Sequence, residues 1–137
     1  MRTETVRVQI SVSWARPQSN DRPWRWGDDK SAKRDVAWSK RNVIYRWVKN
    51  STGDIAMIGE TERMLTERVD NYIHAKRDGG AGATNKKLRE EQLHLEQTGD
   101  FLYLEFTDQV PGYDLSEKRE RRLAESLLVG YAKPYLQ

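Results

Sequence analysis

Two short β-prone runs joined by a tight polar turn constrain this chain more than any other feature in it. Asn42 to Val48 is dense in β-branched and aromatic residues, Asn50-Ser51-Thr52-Gly53-Asp54 supplies the turn, and Ile55 to Gly59 brings the chain back. That pattern is an antiparallel hairpin. Directly after it the apolar spacing changes from two to three and four: Leu65, Val69, Tyr72, Ile73 and Lys76 mark one face of a helix beginning near Glu62. A hairpin followed at once by an amphipathic helix has a cover for one of its faces.

The remaining elements follow from breakers and caps. Asp78-Gly79-Gly80-Ala81-Gly82-Ala83 interrupts the first helix, Thr84 or Asn85 can cap a second that runs to about Gln97, and Gly99 closes it. Phe101 to Phe106 reads as a third strand. After the Val110-Pro111-Gly112-Tyr113 turn, Asp114 and Glu117 have the spacing of a capping box for a last helix reaching about Tyr131, with Leu123, Ala124, Leu127, Leu128 and Tyr131 as its apolar stripe. At the other end Val6, Val8, Ile10 and Val12 alternate with polar residues, which predicts an added strand ending near Trp14. Arg16 to Lys40 carries two prolines and no sustained period, so it reads as a long ordered or semi-ordered loop. The expected architecture is α+β, a small antiparallel sheet flanked by helices in the order β-β-α-α-β-α, with an extra N-terminal strand. Residues 1–41 form an N-terminal strand and a basic Trp-rich elaboration; residues 42–137 form the domain proper.

Composition excludes several chemistries. The 137 residues suffice for one modest core, and without cysteine there is neither a disulfide framework nor a thiolate ligand or nucleophile. With 36% hydrophobic residues and a mean hydropathy of −0.92, no run approaches the roughly 20 apolar residues of a membrane span. Met1-Arg2-Thr3-Glu4-Thr5 lacks the apolar segment of a secretory signal, so a cytoplasmic location is expected. The net charge of +3 and pI near 9.2 favour a polyanionic partner slightly. Distribution says more, because Arg22, Arg25, Lys30, Lys33 and Arg34 cluster in the loop around Trp24 and Trp26. Cations interleaved with aromatics suit phosphate contact and base stacking; tryptophans that merely cover the sheet are the alternative. His74 and His94 are not at a convincing mutual spacing for a zinc site. The Gly79 to Gly82 loop ahead of a helix could cradle a phosphate, although a plain interhelical connection explains it as well.

Five elements, in order, carry a resemblance: Val43-Ile44-Tyr45, Met57-Ile58-Gly59, Arg68 on the helix that follows, Glu125 in the last helix, and Pro134 with Gln137 nine and twelve residues beyond Glu125. This arrangement resembles the GIY-YIG nuclease domain over roughly residues 42–137. The resemblance implies a divalent-metal-dependent DNA endonuclease, stand-alone or restriction-like, acting on phosphodiester bonds. Tyr45 would lie beside the attacking water, Arg68 would grip the phosphate, Tyr72 would assist in positioning, and Glu125 would be the single protein ligand of Mg²⁺ or Mn²⁺. A tyrosine is a poor base at neutral pH, so Tyr45 would need a nearby cation that favours its phenolate or lowers the water's own pKa. Gln137, which would contact the substrate, stands where the family has an asparagine, and Met57 where it has a second tyrosine, a thioether that donates no hydrogen bond. Tyr72, His74 or Lys49 would then have to replace that phenol, and Arg63 is the alternative to Arg68. The Met57 departure also makes room for a second reading, a catalytically weakened DNA-binding or regulatory module. A protein-binding module using the Trp-rich segment is a third. Cutting both strands with one site per chain would favour a homodimer.

Overall fold

A computed structural model of the chain describes residues 1–19, 22–28, 35–74 and 83–137. Three antiparallel strands carry the architecture. β3 (Val43–Lys49) lies in the middle, β4 (Ile55–Thr61) and β5 (Leu102–Thr107) flank it, and a minimal hairpin of β1 (Gln18–Ser19) and β2 (Arg22–Pro23) precedes them. A 3₁₀ turn at Val36–Ser39 leads into β3. The helices are α1 (Leu65–Ile73), α2 (Ala83–Glu96) and α3 (Lys118–Ala132). The fold is thus α+β with small antiparallel sheets and three helices.

The register sorts side chains onto two faces. Tyr45 pairs with Gly59 and Phe106, and Trp47 with Met57 and Leu104, so these rows share one face. There they pack with Leu65, Val69 and Tyr72 of α1, Leu88 and Leu95 of α2, and Trp24 and Trp38 from the loop. Ile44 and Ile58 turn to the other face, against Ala124 of α3, Val110 and Leu115. The helices therefore lie on both sides of the sheet, α1 and α2 opposite α3.

Each outer edge of the sheet receives further backbone hydrogen bonds. On the β5 side Ala15 exchanges backbone hydrogen bonds with Phe106 at 2.9 and 2.8 Å, and Trp26 donates to the Leu102 carbonyl at 3.1 Å. On the β4 side Tyr135 and Leu136 donate to the carbonyls of Ile55 and Ala56, both at 3.0 Å. The alternating segment before Trp14 joins neither edge beyond the isolated Ala15–Phe106 bridge, and the expected N-terminal strand does not form. Ile10, Val12 and Trp14 instead lie against the α3 face, while Val6 and Val8 are exposed.

The last helix also differs from expectation. Its buried face runs through Arg121 and Ala124, with Leu128 half-buried, whereas Leu123, Leu127 and Tyr131 are exposed. The stripe is rotated because Arg121 takes a core position that an apolar residue would ordinarily hold. Nor does the capping box form: the Asp114 carboxylate accepts from Ser116 N and Oγ, and Glu117 ends up at the N-cap with no side-chain cap bond.

Candidate active site

One backbone position shows how tightly this region is built. Gly59 faces Tyr45 across β3 and β4, and a Cβ placed on it would lie 2.2 Å from the phenolic oxygen and 2.4 Å from Cζ. Only a bare Cα lets the ring lie flat over β4. Gly59→Ala must therefore displace a ring that is 1% exposed and packed edge-on to Tyr72. The expected cost is about 1–3 kcal/mol from overpacking, seen as a lowered denaturation midpoint; an unchanged midpoint would contradict this packing.

Tyr45 and Tyr72 meet at their hydroxyls, 2.8 Å apart. The Tyr72 hydroxyl reaches the Met57 sulfur at 3.6 Å. Of the groups considered as replacements for the missing phenol, Tyr72 is therefore the one beside Met57, whereas His74 is exposed at the end of α1 and Lys49 lies at the far end of β3. Arg68, one turn before Tyr72, stacks its guanidinium 4.2 Å from the Tyr72 ring centre, lies 5.8 Å from that of Tyr45, and donates from Nη2 to the Tyr72 oxygen at 3.1 Å. A phenol pair with one cation on its rim is the result.

The protons of that pair stay where they are. Burial lifts the Tyr45 phenol well above its ordinary value, and the field of Tyr72 adds to this; Arg68 pulls the other way without prevailing. Tyr72 is also raised, first by burial, although Arg68 and the hydrogen bond from Tyr45 both favour its charged form. Arg68 is thus a neighbouring cation that favours both phenolates, but desolvation outweighs it. Of the two phenols, Tyr72 is the one that Arg68 and its partner's hydroxyl both assist.

Glu125 approaches from the opposite layer. It is half-buried on α3, and burial raises its carboxyl above the usual carboxylate range; Glu60 raises it further, while Arg122 and Arg68 lower it. Its field is also felt at Tyr72. Arg68 from one helical layer and Glu125 from the other are thus near enough for each to act on the other's surroundings through its charge, although no direct contact joins them. Glu60 was not singled out from sequence. Its role comes from Arg121, which it pairs with, and from the charge it sets beside Glu125.

Other sequence candidates lie elsewhere. Gln137 spends its amide on Ile58, accepting from its N–H and donating to its carbonyl, each at 2.9 Å, so it seals the β4 edge rather than offering a contact to substrate. Arg22 is paired with Asp28 at 2.6 Å and Arg25 sits 4.6 Å from the Phe101 ring centre. Arg25 also bridges to Tyr103 on the outer edge of β5, the opposite edge from β4 and the opposite end from Gly59. Arg25 is therefore at the other end of the sheet from Gly59. Trp24, which is fully buried, and Trp38 pack edge-on at 5.3 Å, so the tryptophans cover the sheet. Lys30, Lys33, Arg34, Lys76 and the Gly79 to Gly82 loop lie outside the described residues. Arg63 is exposed and donates its backbone N–H to Thr61 Oγ1.

Among the described residues no group of three or more His, Asp or Glu could hold a metal ion by itself, and no helix is long and apolar enough to cross a membrane. Comparison with family models, with curated proteins and with solved structures finds no match.

Proposed function

We propose that the chain is a divalent-metal-dependent DNA endonuclease of GIY-YIG type, hydrolysing phosphodiester bonds at the β4 edge. What supports this reading is the bonded set of Tyr45, Tyr72 and Arg68, together with a half-buried Glu125 on the opposite helical layer whose charge is felt at Tyr72. An arginine near a carboxylate that is reluctant to ionise suits an anionic substrate together with a cation.

Arg68 binds a phosphate oxygen and offsets the charge that builds up during displacement. Tyr45 and Tyr72 act as neutral hydroxyls, because both keep their protons at neutral pH. Through the Tyr72 hydroxyl, to which Arg68 donates and Tyr45 is bonded, they fix the guanidinium in place. Glu125 would hold Mg²⁺ or Mn²⁺, with Glu60 adding negative charge nearby. A carboxylate whose ionisation is opposed by burial and by a second carboxylate gains from a cation, and one or two carboxylates plus waters are what Mg²⁺ ordinarily takes. When bound, such an ion would supply Lewis-acid stabilisation of the phosphate and the leaving oxygen.

Glu125→Gln provides the test. The carboxyl is raised in the folded protein, so its ionised form is disfavoured there, and that penalty is present above the folded value and relieved as pH falls. Removing the charge is therefore expected to leave the melting temperature unchanged or higher while abolishing Mg²⁺-dependent nicking of supercoiled DNA. A Gln variant that nicks at the parental rate would refute the assignment. Salt-sensitive DNA binding by the parent without any turnover would instead favour the degenerate, DNA-binding module that Met57 first suggested.

A further inference from the structure

Arg68 is held by a second residue that no reading of the sequence singled out for it. Its Nη2 donates not only to Tyr72 but also to the side-chain oxygen of Asn85, at 3.1 Å in both cases. Asn85 is the third residue of α2, where its amide reaches across to α1 instead of capping its own helix. Nη2 carries two N–H groups, and both are taken. Among the described residues neither Nε nor Nη1 makes a hydrogen bond of ordinary length, although Arg68 also acts on the Tyr45 hydroxyl as a hydrogen-bond donor would.

The geometry of a guanidinium makes this consequential. Its two forks, which grip a phosphate through a pair of parallel hydrogen bonds, are Nε with Nη2 and Nη1 with Nη2; the nitrogen common to both is the one occupied here. A two-point grip therefore needs one acceptor to yield. Tyr72 is 1% exposed, and its oxygen is locked between Tyr45 and Met57. Asn85 is half-buried, sits in the first turn of its helix, and makes a neutral, single hydrogen bond. It is the weaker of the two holds.

We infer that Asn85 is a positioning residue whose side-chain oxygen stands in for a phosphate oxygen on Arg68, keeping the fork in place and surrendering Nη2 when a phosphodiester arrives. This rests on the reading of Arg68 as the phosphate-binding group. Asn85 acts through Arg68 and need not touch the substrate.

Two variants and one control test it, with a short labelled duplex titrated at low salt in EDTA so that binding is read without turnover. Asn85→Ala removes the competing acceptor and should bind DNA severalfold more tightly. Asn85→Asp puts a carboxylate on the same nitrogen, makes a charge-assisted pair and should bind at least tenfold more weakly. Both should fold, since alanine is the best helix former and aspartate is favoured in a first helical turn. Equal weakening in both variants, or no change in either while Arg68→Ala loses affinity, would overturn the inference. If Arg68→Ala itself binds as the parent does, the phosphate reading of Arg68 fails instead. A merely structural Asn85 would lower the melting temperature of both variants without moving their affinities in opposite directions.

Discussion

Arg68→Ala is expected to lose roughly a hundred- to a thousand-fold in kcat for DNA nicking, the usual consequence of removing a preorganised donor from a developing oxyanion. The fold should survive. Arg68 is half-buried at the rim of the phenol pair, and what its removal takes from the protein is one hydrogen bond to Tyr72, one to Asn85 and a stack on the Tyr72 ring. The Tyr72 oxygen keeps Tyr45 and Met57 as partners, so the loss of stability should be about 1 kcal/mol. Arg68→Lys should recover little, because an ammonium on a flexible stem supplies neither the planar face that lies on Tyr72 nor a fork. Measured at saturating DNA with Mg²⁺, a parental rate for the alanine variant would remove Arg68 from the chemistry. A loss confined to affinity would make it a binding residue only.

What could be read in advance follows from where the physics is local. The hairpin, α1, α2, β5 and α3 were legible to within a few residues, because periodicity and turn chemistry are set by neighbours in sequence: Leu65, Val69 and Tyr72 are buried as their spacing required. The N-terminal strand was misread for the opposite reason. Alternation at Val6, Val8, Ile10 and Val12 describes a segment that could pair, but pairing depends on an edge distant in sequence, and the segment's approach to one is confined to Ala15, opposite Phe106. The site was half legible. Tyr45, Tyr72, Arg68 and Glu125 were named, yet the proton preferences of the phenols depend on burial that no spacing encodes. Asn85 looked like a cap because first-turn asparagines usually are, and only the crossing of α1 by α2 gives it Arg68 as a partner. Gln137 was read as a substrate contact, while its amide has the reach to match one residue of an edge strand.

Arg121 is the strongest case of a signal inverted by context, and replacing it should cost the most stability. Among Glu117, Arg119, Glu120 and Arg122 it reads as one charge of a solvated face, yet it is 2% exposed. Its guanidinium binds Glu60, the Asn42 side-chain oxygen at 3.2 Å and the Leu115 carbonyl at 3.0 Å, so it ties α3 to the start of β3, to β4 and to the loop before the helix. Asn42 is held there with a φ of 56°, a left-handed conformation that asparagine tolerates better than most residues. Arg121→Met fills the space but, among the described residues, leaves Glu60, a largely buried carboxylate, with Arg122 at 3.8 Å as its one cationic partner, itself exposed. Breaking such a pair from one side costs about 3–5 kcal/mol, whereas removing both charges is often close to neutral. The Glu60→Gln, Arg121→Met double variant should therefore be more stable than Arg121→Met alone, measured as denaturant midpoints in a double-mutant cycle. A single variant as stable as the parent would show that the buried guanidinium contributes nothing. The same change reaches the site: with Glu60 no longer neutralised, Glu125 feels a stronger negative field and holds its proton to higher pH. In Arg121→Met, any activity that requires ionised Glu125 should set in at higher pH than in the parent, while the double variant, which lacks both charges, should return toward the parental onset.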